Sequence, residues 1–109
     1  MAAKFLTVVA RIRAKPGLEA RVQEELLALV APTRAESGCL NYDLHRSQEE
    51  PGLFLFYENW RSPQDLEAHL QTPHLQKFLA QVDALLAEPV EITRWEMLSE
   101  AGWLPAARP

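Results

Sequence analysis

The feature that most constrains the fold of this chain is an uninterrupted apolar run at residues 53–57, LFLFY. Its aromatic and aliphatic residues predict a strand, and successive strand residues point to opposite faces of a sheet. Small antiparallel domains usually pack one face on helices and leave the other in water. Both faces of this strand are apolar, so the second face needs a cover other than solvent. A partner subunit or a ligand would provide it.

Length and charge narrow the class of protein. The 109 residues are enough for one domain with one core. The net charge is −4, and no basic run is long enough to neutralise successive phosphates. The apolar stretch near the N-terminus is interrupted by Arg11 and Arg13, which argues against a signal peptide or membrane span. A single cysteine, Cys39, agrees with a reducing compartment. We expect a cytoplasmic protein that binds neither nucleic acid nor membrane.

Hydrophobic periodicity predicts the order strand, helix, strand, strand, helix, strand. The first helix runs from Leu18 and is expected to kink at Pro32. The second helical segment starts at Ser62, a capping residue, and is divided by Thr72 and Pro73 before a longer helix. A last strand is predicted over residues 90–98. This order is that of an α+β, ferredoxin-like split βαβ subunit with an antiparallel sheet.

The predicted domain covers residues 1–98, and residues 99–109 form a C-terminal tail. The tail contains Trp103 and Leu104. Because an exposed tryptophan is unfavourable, we expect the tail to dock on its own domain or on a neighbour.

Three segments carry a family resemblance: ESGCLNYDLHRS, the ENW that follows the apolar strand, and EAHLQTPHLQKF. Together they resemble the antibiotic biosynthesis monooxygenase domain family over residues 5–98. The resemblance implies a ferredoxin-like subunit whose sheet packs against that of a second copy, which gives a homodimeric α+β barrel. A second copy would also cover the free face of the apolar strand.

Members of that family include small oxygenases that act on quinols or polycyclic phenols without metal or flavin, besides isomerases and haem-degrading enzymes. Fold alone does not choose among them. The chain has no glycine-rich phosphate loop, so the resemblance favours a cofactor-independent oxygenase with an aromatic substrate and dioxygen as partners. Haem-degrading relatives place Asn, Trp and an iron-binding His at positions that are Ala10, His69 and Leu79 here, which disfavours haem chemistry.

His69 is the predicted catalytic base. It lies at the edge of the buried helical stripe, and a histidine titrates near neutral pH unless its surroundings shift its pKa. A histidine hydrogen-bonded within the core is the alternative. His74 follows in the first turn of the next helix, where the helix dipole disfavours an added proton. It is predicted to bind substrate, with a local capping or packing role as the alternative.

Glu58 and Trp60 are predicted to line the same pocket. Both share a strand face with Phe54 and Phe56, and apolar surroundings raise the pKa of a carboxyl group. The indole of Trp60 offers a donor for a phenol or quinone oxygen. Alternatively, Glu58 pairs with an arginine and Trp60 is a core residue.

No metal site is predicted. His69 and His74 are five residues apart with Thr72 and Pro73 between them, which is unlike the i, i+4 pair of zinc helices. His45 lies on a polar strand face that a solvated surface or a dimer interface explains.

Three functions therefore stay open. The leading one is a cofactor-independent monooxygenase of a quinol or related aromatic compound. The second is an isomerase of a small oxygenated or phosphorylated carbonyl compound, with His69 and His74 as acid and base. The third is a non-catalytic dimer that binds a small molecule, whose pocket would be closed or would lack titratable side chains.

Overall fold

The structure, a computed structural model, describes residues 5–102. Four strands form one antiparallel sheet in the order β2-β3-β1-β4. The strands are β1 (Leu6–Arg13), β2 (Cys39–Arg46), β3 (Leu53–Trp60) and β4 (Glu91–Trp95). Helices α1 (Glu19–Leu27) and α2 (Val30–Arg34) connect β1 to β2. Helices α3 (Pro63–Leu70), α4 (Pro73–Leu79) and α5 (Val82–Leu85) connect β3 to β4. This topology confirms the predicted ferredoxin-like α+β fold.

One face of the sheet forms the hydrophobic core with the helices. Val8, Ala10 and Ile12 alternate along β1 and lie opposite Glu58, Phe56 and Phe54 of β3. The helices contribute the other core side chains, which include Val22, Leu26, Leu66, Leu75 and Phe78. The strand residues that alternate with a period of two and the helix residues at helical spacing therefore pack against each other in one core.

The other face of the sheet is partly apolar. Leu53, Leu55 and Tyr57 are half-buried within the single chain. These odd-numbered residues point away from the core formed by Phe54 and Phe56. The second apolar face of β3 is therefore left half-buried in the single chain.

Pro32 interrupts the first helical segment earlier than predicted. Helix α1 ends at Leu27, and α2 begins at Val30, two residues before the proline. A proline ring collides with the carbonyl four residues earlier, here that of Ala28, so the break falls at residues 28–29 rather than at Pro32 itself. Pro32 then lies in the first turn of α2, where a missing backbone N–H costs little.

The remaining boundaries differ from the prediction in two places. The division at Thr72 and Pro73 is confirmed, but the helix after it is split again between Leu79 and Val82. Strand β4 is shorter than residues 90–98. The prediction for the tail with Trp103 lies outside the described residues. None of the helices within residues 5–102 is long and apolar enough to span a bilayer.

The predicted cap of α3 at Ser62 is confirmed. Its hydroxyl accepts a hydrogen bond from the backbone N–H of Asp65 at 3.2 Å and donates to the carboxylate of Asp65 at 2.8 Å. Pro63 follows at the first helical position. The cap fixes the start of the helix that carries His69.

Ser62→Ala is expected to lower the free energy of unfolding by about 1 kcal/mol, because the N-terminal amides of α3 lose their side-chain acceptor. Urea denaturation followed by circular dichroism measures the change. The matched control is Ser99→Ala, at an exposed residue outside the helices and strands. Equal midpoints for Ser62→Ala and wild type would show that the cap contributes nothing.

Candidate active site

A cavity of about 80 Å³ lies between the sheet and the helices. Its wall includes Val8 and Phe56 of the sheet and Leu66 and Phe78 of the helices. Three side chains on this mostly apolar wall carry polar groups, namely Tyr42, Glu58 and His69. Enclosed apolar pockets with a few polar groups are the usual form of small-molecule sites.

His69 is held in one orientation on the cavity wall. The residue is only 3% exposed, and its ring centroid lies 4.6 Å from that of Trp60. Its Nδ1 lies 2.9 Å from Oε2 of Glu36. A carboxylate only accepts hydrogen bonds, so Nδ1 carries the proton of the neutral ring and Nε2 keeps a free lone pair. No hydrogen bond to Nε2 is formed within residues 5–102.

Burial determines the protonation of His69. Desolvation lowers the pKa of the imidazole from its ordinary value, and the hydrogen bond to Glu36 opposes this effect. The ring is therefore neutral at pH 7. A neutral imidazole with a lone pair on Nε2 is a general base.

Glu36 also binds the second predicted histidine. Nε2 of His74 lies 2.7 Å from the same Oε2 that bonds His69. The side chain of His74 is 23% exposed and is not part of the cavity wall. His74 therefore contacts the site through Glu36, on the side nearer to solvent.

A glycine allows Glu36 to reach the two histidines. Glu36 follows α2, and the next turn places Gly38 directly against Asp65 of α3, where a Cβ atom would collide with the carboxylate. The carbonyl of Gly38 accepts a hydrogen bond from the backbone N–H of Arg61 at 2.9 Å. Only glycine permits this approach, which brings the end of α2 beside the helix of His69.

Glu58 is the second titratable group on the cavity wall. It is 4% exposed, and its Oε1 accepts a hydrogen bond from Nε1 of Trp60 at 2.9 Å. Burial raises the pKa of Glu58 to about 7, against the opposing effect of the Trp60 hydrogen bond. The expectation of a raised pKa is confirmed, and its partner is a tryptophan rather than an arginine.

The structure thus divides the four predicted site residues into two pairs. His69 and Glu58 line the cavity, whereas Trp60 and His74 lie behind them. Trp60 contacts both wall residues, and His74 shares the carboxylate of His69. Sequence reasoning missed Glu36, because it lies 33 residues from His69 and no local pattern connects the two.

The same cluster resembles a metal-ligand set. The ligand atoms of Glu36, His69 and His74 all lie within 4.8 Å of one another. The spacing of the histidines did not indicate this grouping, because it leaves out Glu36. Contacts of 2.7 and 2.9 Å are hydrogen-bond distances, whereas tetrahedral ligands about 2.0–2.1 Å from zinc lie farther apart. The arrangement is that of a carboxylate between two imidazole donors.

Two other side chains with potentially reactive groups lie apart from the cavity. Nδ1 of the exposed His45 lies 3.1 Å from the carbonyl oxygen of Asp43. Burial raises the pKa of the Cys39 thiol to about 12, so it remains protonated and is a poor nucleophile. Neither is part of the cavity wall.

The side of the cavity near α4 and β4 leads toward solvent. Leu79 and Ile92 both line the cavity, and they are 38% and 47% exposed. Ala10, His69 and Leu79, the three positions compared with haem-degrading relatives, all lie on this wall.

Comparison with known proteins agrees with this architecture. The family model described as antibiotic biosynthesis monooxygenase matches residues 5–81. Rv0793 from Mycobacterium tuberculosis is 40% identical over 96 residues, which cover 88% of this chain and 94% of the relative. Its solved structure has a TM-score of 0.83, over 89% of this chain and 98% of that chain.

Two further proteins extend the comparison. The crystal structure of PA3566 from Pseudomonas aeruginosa has a TM-score of 0.84 at 42% identity, over 91% of this chain and 98% of that chain. The Escherichia coli protein named "Probable quinol monooxygenase YgiN" is 34% identical over 84 residues, 68% of this chain and 81% of the relative. Because the family model covers most of the chain and relatives align over nearly its full length, this protein belongs to the antibiotic biosynthesis monooxygenase family.

Proposed function

We propose that this protein is a monooxygenase that oxidises a quinol or a related aromatic compound with dioxygen and without metal or flavin. The observation that carries the proposal is His69 on the wall of an apolar cavity, with Nδ1 held by Glu36. Family membership supports a monooxygenase, and the name of the YgiN relative supports a quinol as substrate.

The proposed reaction begins with removal of a proton. Nε2 of His69 accepts the proton of a phenolic hydroxyl, and the carboxylate of Glu36 stabilises the resulting imidazolium. The electron-rich anion then passes an electron to dioxygen. Dioxygen is small and apolar, so the wall formed by residues such as Val8 and Phe78 favours its entry.

In the proposed reaction Trp60 and His74 lie behind the reacting groups. Trp60 holds Glu58 through its indole N–H and packs on the ring of His69. His74 donates to Glu36 and so helps to fix the carboxylate that orients His69. Of the four predicted site residues, only Glu58 and His69 would then touch the substrate.

Substrate entry requires movement at the mouth of the cavity. A cavity of about 150 Å³ accepts benzene, and the volume of this one is about 80 Å³. An aromatic ring therefore needs side chains to shift, and Leu79 and Ile92 are the exposed members of the wall.

The two other functions have less support from the geometry. An isomerase with His69 and His74 as acid and base would need both imidazoles at the substrate, but His74 is not part of the cavity wall. A non-catalytic binding protein was expected to have a closed pocket or one without titratable side chains. This cavity contains His69 and Glu58.

The decisive experiment is oxygen uptake by chelator-treated protein against a panel of quinols and polycyclic phenols. The expected result is a rate of oxygen uptake above that of autoxidation, with formation of the oxidised product. Uptake that appears only after a metal ion is restored would instead assign the Glu36, His69 and His74 cluster to metal binding. The absence of uptake with and without metal would move the assignment to an isomerase or a binding protein.

We also propose that the protein is a homodimer, with a second copy covering Leu53, Leu55 and Tyr57. Sedimentation at micromolar concentration is expected to give twice the subunit mass of 12.4 kDa. Leu55→Asp should shift the protein to monomer, because it places a charge in the covered face. Leu27→Asp, on α1 at a residue 54% exposed, is the matched control. A wild-type monomer would contradict the proposal.

A further inference from the structure

Glu58 combines three properties that the proposed deprotonation by His69 does not use. It is buried at 4% exposure, it lies on the wall of the same cavity, and one of its two oxygens is already occupied by Trp60. Within residues 5–102 no hydrogen bond is formed to its Oε2. One oxygen of the carboxyl group is therefore fixed, and the other is left for a bound molecule.

The surroundings of Glu58 favour its protonated form. No lysine or arginine of the described chain forms an ion pair with it. The titratable groups around Glu58 are Tyr42 and Cys39 on β2, His69 on the same cavity wall and Glu36 after α2. Burial raises the pKa of the Tyr42 hydroxyl, which stays neutral, and the negative charge of Glu36 disfavours a second carboxylate nearby. With a pKa of about 7, Glu58 is therefore protonated below about pH 7 and can donate that proton there.

Trp60 connects the acid and the base. Its indole N–H binds Oε1 of Glu58 at 2.9 Å, and its ring lies against that of His69 with centroids 4.6 Å apart. Trp60 is itself completely buried, so it holds both groups in place. A lone-pair nitrogen and a carboxylic acid thus stand on one apolar wall, which is the arrangement of an acid and a base with different protonation states.

We propose that Glu58 is a second catalytic residue, the acid that delivers a proton to the peroxide formed when dioxygen adds to the substrate in the cavity of His69. This inference rests on the proposed oxygenase function. It assigns His69 and Glu58 to successive proton transfers.

The proposed steps balance in atoms and electrons. His69 takes the hydroxyl proton of a hydroxyarene, the anion gives an electron to dioxygen, and the two radicals couple in a new C–O bond. Glu58 protonates the terminal oxygen of the resulting peroxide anion. Glu58 carboxylate then removes the hydrogen on the same carbon as the O–O bond breaks. The leaving hydroxide takes the proton of the His69 imidazolium, so one quinone and one water form per dioxygen and both residues return to their starting states.

Glu58→Gln tests the inference, because glutamine keeps the shape and an acceptor for Trp60 but has no acidic proton. We expect quinone formation to fall by about 10²-fold, as for loss of a general acid. Oxygen is still consumed, because the unprotonated peroxide breaks its new C–O bond and gives back phenoxyl radical and superoxide. The superoxide disproportionates to hydrogen peroxide and dioxygen, and the radicals couple to a dimer of the substrate in place of quinone. Glu58→Asp should recover part of the quinone yield. Glu67→Gln, on the exposed side of α3, is the matched control.

Several outcomes would overturn the assignment. An unchanged ratio of quinone to hydrogen peroxide in Glu58→Gln would show that the proton comes from elsewhere. Loss of oxygen uptake together with quinone would place Glu58 before dioxygen addition.

A second measurement separates the inference from the proposed function. Carboxyl carbon NMR follows the titration of Glu58 without substrate, with Glu58→Gln to assign the signal. A midpoint near 7 supports the acid even if the oxygen-uptake panel identifies no substrate. A midpoint near 4 overturns it whatever the reaction.

Discussion

Replacing His69 with glutamine is expected to lower oxygen uptake by about 10²- to 10⁴-fold, the usual contribution of a general base. Glutamine is close in size and can still donate a hydrogen bond to Glu36, so the site keeps its shape but loses the lone pair of Nε2. The measurement is the initial rate of oxygen consumption with a quinol that wild type oxidises, and circular dichroism verifies the fold. His45→Gln is the matched control, at an exposed histidine outside the cavity wall.

The pH dependence of the same rate gives an independent test. Because burial lowers the pKa of His69 below its ordinary 6.5, the base remains neutral and active down to a pH below that value. Activity should fall only on further acidification. A wild-type rate in the His69→Gln variant, or a rate in wild type that is already lost above pH 6.5, would assign the base to another group.

The second large effect concerns stability rather than catalysis. Glu58 is expected to destabilise the folded protein as pH rises, and Glu58→Gln should remove that effect. The pKa of the carboxyl is about 7 in the folded protein and about 4.5 for the ordinary group. The unfolded chain therefore loses its proton first, so stability is fully present below about pH 4.5 and falls until about pH 7.

The size of this effect follows from the shift. One pKa unit corresponds to about 1.4 kcal/mol, so the folded protein loses about 3 kcal/mol of stability between the two pKa values. We therefore compare the stability of Glu58→Gln with that of wild type at two pH values. The difference should be about 3 kcal/mol more in favour of the variant at about pH 8 than at about pH 4. Urea denaturation of both proteins at the two pH values measures this difference.

Comparing Glu58→Gln with wild type at each pH isolates the contribution of Glu58 to stability. His69 contributes in the opposite sense, because its lowered pKa makes the folded protein lose stability on acidification, but this contribution is common to both proteins. Glu67→Gln, at a solvent-exposed carboxylate, should show no such pH-dependent gain. A constant difference between Glu58→Gln and wild type across the same pH range would contradict the raised pKa.

The sequence was informative about local structure and about side chains whose surroundings are local. The alternation around Phe54 and Phe56 placed Glu58 among apolar residues, and the structure confirms both its burial and its raised pKa. Ser62 marked the start of α3 because a cap is formed by residues three apart. Pro32 marked a helix break but not its position, since the clash acts four residues earlier.

The depth of the side chains at the site and the cavity itself depended on contacts between distant segments. The sequence indicated Trp60 and His74 as pocket residues, but the depth of each side chain depends on how the helices pack on the sheet, and the structure places both behind the wall. The cavity itself is the space left between β1, β3 and the helices. Such a volume depends on several elements at once.

The amino-acid sequence by itself determined the order of the elements, the two apolar faces of β3, and the presence of an ionisable residue on each of β3 and α3. Only the tertiary structure decided that Glu36 binds His69 and His74. The reason is physical: periodicity and capping act within a few residues of the chain. The carboxylate reaches the imidazoles across 33 and 38 residues, through the close packing of Gly38 on Asp65.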